Sequence, residues 1–198
     1  MNTPVVSPDD KVRLRRELRR RRKALTRDER RRAETALVRH AMRLVRRNKR
    51  IGAYLAAGSE LDLAPLIRRA RRLGAVVHLP AIPRQGRRLW FTRVGDDASR
   101  WRLHPRFGIR EYDGPRCRAE RLDVLLIPLL GVDRDGFRLG QGGGFYDATL
   151  AFRRRRALVR RPLLIGIAFD CQCVEQVPRD PWDVALDGVL TPSGLRRF

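Results

Sequence analysis

The stretch Val124-Leu125-Leu126-Ile127-Pro128-Leu129-Leu130 carries no polar or charged side chain. A strand with one face in water alternates apolar and polar residues. A run that is apolar at every position fits a central strand buried on both faces, which requires helices above and below the sheet. The expected fold class is α/β: a three-layer α/β/α domain with a mostly parallel central sheet, residues 1–198 forming one domain. Upstream, 51–56 reads as a short buried strand. Asp62 caps a helix with the apolar face Leu63, Leu66, Ile67, Ala70 and Leu73, stopped by Gly74. Residues 75–79 form the next strand, ended by Pro80, which completes a βαβ unit. Residues 89–94 add a strand, and 95–121 read as a polar, loop-rich excursion. Downstream, 163–168 and 184–190 are the remaining strands.

Two helices open the chain. Ser7 is placed to cap the first, with Pro8 at its first position and Asp10 in its first turn. Leu14, Leu18 and Leu25 form its apolar stripe. Thr26 and Glu29 make a capping box for the second helix, whose buried face is Ala33, Ala36, Leu37, Ala41 and Leu44.

The net charge is +23, and only Lys11, Lys23 and Lys49 are lysines, so 42 of the 45 basic residues are arginine. Such a field favours anionic partners, including non-specific nucleic acid. Yet the arginines are spread over almost every segment and no stacking aromatics are interleaved with them, which fits a compositional bias of the surface. No stretch is apolar enough to cross a bilayer, and residues 1–10 lack a signal core, so a cytoplasmic protein without membrane attachment is expected. Cys117, Cys171 and Cys173 lack the spacing of a disulfide framework or zinc site. Cys171 and Cys173, if extended, share one face as inert thiols.

Beyond the central strand lies a glycine-rich turn over 131–144, containing Arg138-Leu139-Gly140-Gln141-Gly142-Gly143-Gly144-Phe145-Tyr146-Asp147, with a helix following through Leu150. Its place after a buried strand suits a ligand site. The glycines let backbone N–H groups approach an anion, and a helix start adds unpaired donors. Arg138 offers a forked phosphate contact and Asp147 an oxygen ligand. The loop is not a Walker A motif, having no Lys-Ser or Lys-Thr pair after the glycines. It is a poor dinucleotide fingerprint, with Phe145 where the third glycine belongs. On glycines alone, a structural turn and phosphate binding are equally good readings.

The loop resembles the R-L-G-x-G-x-G-[YF]-Y-D hallmark of the 5-formyltetrahydrofolate cyclo-ligase family. Other segments match it in order: Lys11-x-x-Leu14-Arg15; Leu55 with Glu60; Trp101 with Phe107-Gly108-Ile109; Pro128 through Gly136; then Ala168-Phe169, Gln172, Val177-Pro178 and Asp183. The similarity spans about 11–191. It implies ATP-dependent closure of 5-formyltetrahydrofolate to 5,10-methenyltetrahydrofolate through a phosphorylated formyl group, with ATP as co-substrate and Mg²⁺ as cofactor. Catalytic roles fall to Arg138, Lys11 and Arg15. ATP contacts fall to Lys11, Val12, Arg13, Leu14 and Arg15, and to Arg138, Leu139, Gly140, Gln141, Gly142, Gly143, Gly144, Phe145 and Tyr146. Folate contacts fall to Leu55, Glu60, Trp101 and Gln141 through Phe145. Metal ligation falls to Asp147 and Asp183.

Each assignment has a plainer competitor. Lys11 and Arg15 also suit a solvated helix face, Glu60 a surface acid, Trp101 a core residue, and Asp183 a strand start. Asp133 and Asp135 read as turn formers around Gly136. His40, His78 and His104 have no triad or metal spacing. The chain departs from the family at Trp182, where histidine is common, at Tyr112, where proline often follows the F-G-I segment, and at Phe145, where tyrosine is commoner. A diverged folate-binding paralogue and a basic nucleic-acid binder are the rival readings. A monomer is expected, with a dimer left open.

Overall fold

The computed structural model describes residues 8–155 and 161–198. Ser7, read as a helix cap, and Arg156, the end of the basic run Arg153-Arg154-Arg155-Arg156, lie outside them. In chain order the elements are α1 (Pro8–Ala24), α2 (Arg27–Ala41), β1 (Arg50–Gly52), α3 (Ala64–Arg72), β2 (Val76–Ala81), β3 (Trp90–Arg93), β4 (Trp101–Leu103), β5 (Arg110–Tyr112) and β6 (Arg116–Cys117). They continue with β7 (Val124–Pro128), β8 (Gly131–Val132), β9 (Arg138–Leu139), α4 (Phe145–Leu150), α5 (Phe152–Arg155), β10 (Leu163–Ile167), β11 (Gly188–Thr191) and β12 (Gly194–Arg197).

The principal sheet has eight strands in the order β12-β11-β10-β7-β1-β2-β3-β6. The inner pairs β11–β10, β10–β7, β7–β1 and β1–β2 are parallel, and the outer pairs are antiparallel. Strand order reverses between β1 and β7, so the crevice at their carboxyl ends is where such a sheet offers a ligand site.

The apolar run of β7 explains its central place. Val124 and Leu126 join a core with Leu37 and Ala41 of α2 and Leu66 and Ala70 of α3, while Leu125 and Ile127 face a second core with Leu150 of α4 and Leu164. All four β7 side chains are essentially inaccessible. Burying each contributes about 1.5–3 kcal/mol of transfer free energy. The second helical layer is thin: the six-residue α4, the short α5 and connecting loops cover that face.

The capping box forms as expected: Glu29 N–H donates to Thr26 Oγ1, and Thr26 N–H to Glu29 Oε2. Three expectations are corrected. Residues 95–121 contain a β4–β5 hairpin and the edge strand β6, so the excursion is more ordered than its polarity suggests. Pro80 sits inside β2 rather than ending it. His78 O accepts from Ala53 N–H on the β1 side, so Pro80, two residues on, also faces that side, beyond the last β1–β2 pair at Gly52–His78. Its missing N–H therefore costs no ladder bond. Cys171 lies within a 3₁₀ turn, Asp170–Gln172, and Cys173 just after it, so they divide between the two cores rather than sharing a face. Burial pushes both thiols up, in keeping with inert cysteines.

Asp133, fully buried, organises the turn that follows β8. Its carboxylate accepts from the backbone N–H groups of Asp135, Phe137 and Val177 at 3.0, 2.9 and 3.2 Å, and from Arg179 at 3.1 Å. Asp133→Ala strands three backbone donors at once and leaves the Arg179 guanidinium to Asp135 alone. It is expected to lower stability by about 3–5 kcal/mol in denaturant titration. A wild-type midpoint would show that the carboxylate does not hold the turn.

Candidate functional site

Lys11, Arg15, Arg19 and Arg22 recur along α1 at spacings of four, four and three, which puts them on one helix face. The neighbouring stripe fixes where that face points. Leu18, fully buried, packs so closely on Gly131 that a Cβ there would lie 2.5 Å from Leu18 Cδ1. Leu14 joins Leu139 and Val177 in the same small cluster. The helix is thus docked on the β8–β9 pair, at the base of the glycine loop.

All four cations reach polar groups around the β1–β7 crevice. Lys11 Nζ lies 2.5 Å from Asp180 Oδ2, and Arg15 Nε donates to Gly140 O at 3.0 Å. Arg19 Nη2 donates to Gln141 Oε1 at 3.1 Å, and Arg22 Nε to Ser59 Oγ at 3.0 Å. Arg22 is only 4% exposed, so it belongs to the site wall rather than to the surface. Burial depresses its pKa, and the nearby Glu60 carboxylate opposes that shift.

The loop itself turns through left-handed backbone at Gly142 (φ +103°) and Gly144 (φ +67°), conformations that side chains on Cβ disfavour. Glu60 braces it from the β1 side. Its Oε1 accepts from Gln141 Nε2 at 3.3 Å, and its Oε2 accepts from Ala57 N–H at 3.0 Å. Arg138, with only 5% of its side chain exposed, is held by Asp147 Oδ1 and donates to Val184 O at 3.0 Å. The Tyr146 hydroxyl is buried with no hydrogen-bond partner among the described residues. Burial pushes it far above the usual phenol range, the Glu60 charge adds to that rise, and Arg138 opposes it.

Asp183 accepts from Asp180 N–H at 2.8 Å. Burial raises its pKa and the Asp147 and Asp180 charges add to the rise, while Lys11 opposes it. A carboxylate raised by burial and by neighbouring carboxylate charge, as Asp183 is, favours a cation beside it. Among the described residues no cluster of three or more His, Cys, Asp or Glu side chains forms a ready cage. Two hard oxygen donors completed by water and phosphate oxygens are the donor set that suits Mg²⁺, which seldom uses an all-protein cage. Asp147 and Asp183 fit that description.

The structure thus gathers Lys11, Arg15, Glu60, Arg138, Tyr146, Asp147, Asp183 and the 140–144 backbone. Leu55 and Glu60 line an adjoining cleft of about 780 Å³, together with Lys23 and Arg110. Other expected residues stand apart. Val12 is 61% exposed, and the Arg13 side chain is exposed beside Asp10. Leu139 is core and has only its backbone to offer. Trp101 does not line the Leu55–Glu60 cleft; its ring meets Tyr112 edge-on, and Arg110 lies over it, 4.8 Å from the centroid. With α4 only six residues long, the helix start adds a few N–H donors but little dipole.

Sequence reading missed Arg19, Arg22 and Asp180. The helical spacing from Lys11 carried the signal for the two arginines, and Asp180 mirrors Asp183 one turn earlier. Arg87 was missed as well: its Nη1 lies 3.2 Å from the place a Gly144 Cβ would occupy. No sequence signal points to Arg87. Chemically, the arrangement offers a backbone cradle and guanidinium groups for a polyanion, carboxylates for a hard cation, and a polar-and-apolar cleft alongside.

Comparison with known proteins bears on this geometry. The sequence profile of the 5-formyltetrahydrofolate cyclo-ligase family matches residues 7–192. A 5-formyltetrahydrofolate cyclo-ligase of Escherichia coli K12 is 37% identical over 149 residues, 72% of this chain and 78% of that protein. One from Haemophilus influenzae is 33% identical over 186 residues, 89% of this chain and 95% of that protein. The solution structure of Aquifex aeolicus 5,10-methenyltetrahydrofolate synthetase superposes with a TM-score of 0.76 at 29% identity, covering 94% of this chain and 92% of that one.

Proposed function

Because this chain belongs to the 5-formyltetrahydrofolate cyclo-ligase family, we propose a division of labour among its residues for the ATP-dependent cyclisation of 5-formyltetrahydrofolate to 5,10-methenyltetrahydrofolate. The observation that carries it is the convergence, from sequence-distant segments, of α1 cations, the glycine loop, Glu60 and two carboxylates at the strand-order reversal between β1 and β7.

ATP is the co-substrate, and its phosphates lie along the 140–144 backbone. Lys11, Arg15 and Arg138 neutralise the transferred phosphoryl group. The formyl oxygen on N5 attacks the γ-phosphorus and ADP leaves. N10 then attacks the activated carbon, and the N10 proton and phosphate depart as the ring closes to the methenyl product. Phosphoryl transfer of this kind asks a protein for alignment and charge stabilisation rather than covalent chemistry. Asp147 and Asp183 would hold Mg²⁺, which would supply charge neutralisation at the phosphates.

The pterin occupies the cleft beside Leu55. Glu60 accepts from its N–H groups, and the buried Tyr146 hydroxyl gains the partner it lacks. Trp101 backs Arg110 at the cleft's edge rather than forming its wall. The whole chain acts as one domain, as a cytoplasmic monomer, and the basic surface associates with nucleic acid only non-specifically.

With 5-formyltetrahydrofolate and Mg-ATP, the expected result is a methenyl product absorbing in the near ultraviolet, formed in step with ADP. Folate binding without ADP release would assign the site to a non-catalytic paralogue. Selective, tight RNA or DNA binding by a protein indifferent to both substrates would replace the reading altogether.

A further inference from the structure

At the opposite end of the sheet from the glycine loop lies a cleft of about 890 Å³. Its floor is Ala75 and the start of β2, at Val76 and Val77, and its wall is the segment following β3, Val94 to Asp97. β3 runs antiparallel to β2, so both segments lie at the amino ends of the parallel strands. None of the proposed catalytic groups lines this cleft.

Five arginines line it against two aspartates. Arg71 is engaged by Asp96 at 2.5 Å and Arg100 by Asp97 at 3.3 Å. The side chains of Arg68, Arg72 and Arg93 make no hydrogen bond or ion pair among the described residues. A second observation concerns Tyr112, which lines the same cleft although the residue is only 4% exposed. Its hydroxyl has no protein hydrogen-bond partner among the described residues and is not sealed off as a buried orphan. A Cβ on Gly95 would lie 2.8 Å from that oxygen, so a residue without a side chain borders the hydroxyl where it meets the cleft.

We propose that this cleft is a second anion site, built for a small phosphorylated molecule held by Arg68, Arg72 and Arg93, with the Tyr112 hydroxyl as an uncharged donor. Concave walls of one predominant sign focus field on the ligand, and forked guanidinium groups match phosphate oxygens. A polynucleotide fits less well. Asp96 and Asp97 sit in the lining and would repel a continuous phosphate backbone, and no exposed aromatic ring is present for bases to stack on.

The test is calorimetric titration of the full chain with inorganic pyrophosphate at about 0.15 M salt, where diffuse surface attraction is screened. The wild type is expected to take up two equivalents, one at the glycine loop and one here. Arg68→Glu/Arg72→Glu/Arg93→Glu, confined to exposed side chains, should take up one, with its melting temperature and cyclisation rate kept. Tyr112→Phe should weaken the second equivalent about two- to tenfold, the loss of one hydrogen bond. Unchanged stoichiometry in the charge-reversed protein, or a single equivalent in both proteins, would overturn the site. So would a short RNA that binds only the wild type at this surface while pyrophosphate does not.

Discussion

Arg138→Ala is expected to lower kcat by about 10²–10³-fold, the usual loss when one preorganised charge-stabilising group is removed from a transition state. The size follows from the setting. The guanidinium is almost wholly buried, pinned between Asp147 and Val184 O at the base of the glycine loop. A charge held there costs no reorganisation when phosphoryl charge develops. In the proposed role the interaction is made with the moving phosphoryl group, so KM for 5-formyltetrahydrofolate should change far less than kcat. Arg138→Lys keeps the charge but cannot span both partners, and should recover only part of the rate. Steady-state kinetics on the two variants, with melting curves to confirm folding, checks this. Near-normal kcat in the alanine variant would remove Arg138 from the chemistry.

The second large effect is expected at the carboxylates. Asp183→Asn and Asp147→Asn should each raise the Mg²⁺ concentration for half-maximal rate by at least on the order of tenfold. The first should also alter the acid limb of the pH profile. Burial, with the Asp147 and Asp180 charges, raises the Asp183 pKa, so protons compete with metal up to a higher pH than at an ordinary aspartate. Mg²⁺ affinity should therefore fall as pH drops through that raised value, and Asp183→Asn should flatten the fall. If Mg²⁺ dependence were unchanged in both variants, the metal would have to be held elsewhere.

How far the amino-acid pattern reveals this molecule depends on the range of each interaction. The α/β class was readable from 124–130 because burial on both faces leaves an unbroken apolar run, and the capping box of α2 because it is local to Thr26 and Glu29. Edge strands were not. β6 and β12 are set by pairing with β3 and β11, and short exposed strands carry little periodicity of their own. The same holds for the site. Glycines and neighbouring cations announced the loop, yet Arg22 lies in the run Arg19-Arg20-Arg21-Arg22, which reads as general basic charge suited to nucleic acid. What distinguishes it is Ser59 and the Glu60 charge, brought close by the chain entering the β1–β7 crevice. Trp101 shows the converse: a motif residue whose ring is committed to Tyr112 and Arg110, so that it meets the cleft only through Arg110.

The most direct check follows backbone amide and arginine Nε resonances while a non-hydrolysable Mg-ATP analogue is added. The largest shifts are expected at Gly140 through Gly144, Arg15 and Arg138, with the 5-formyltetrahydrofolate analogue then perturbing Glu60 and Tyr146. Saturable nucleotide binding that left the glycine amides and both guanidinium groups unmoved would contradict the placement of the phosphates.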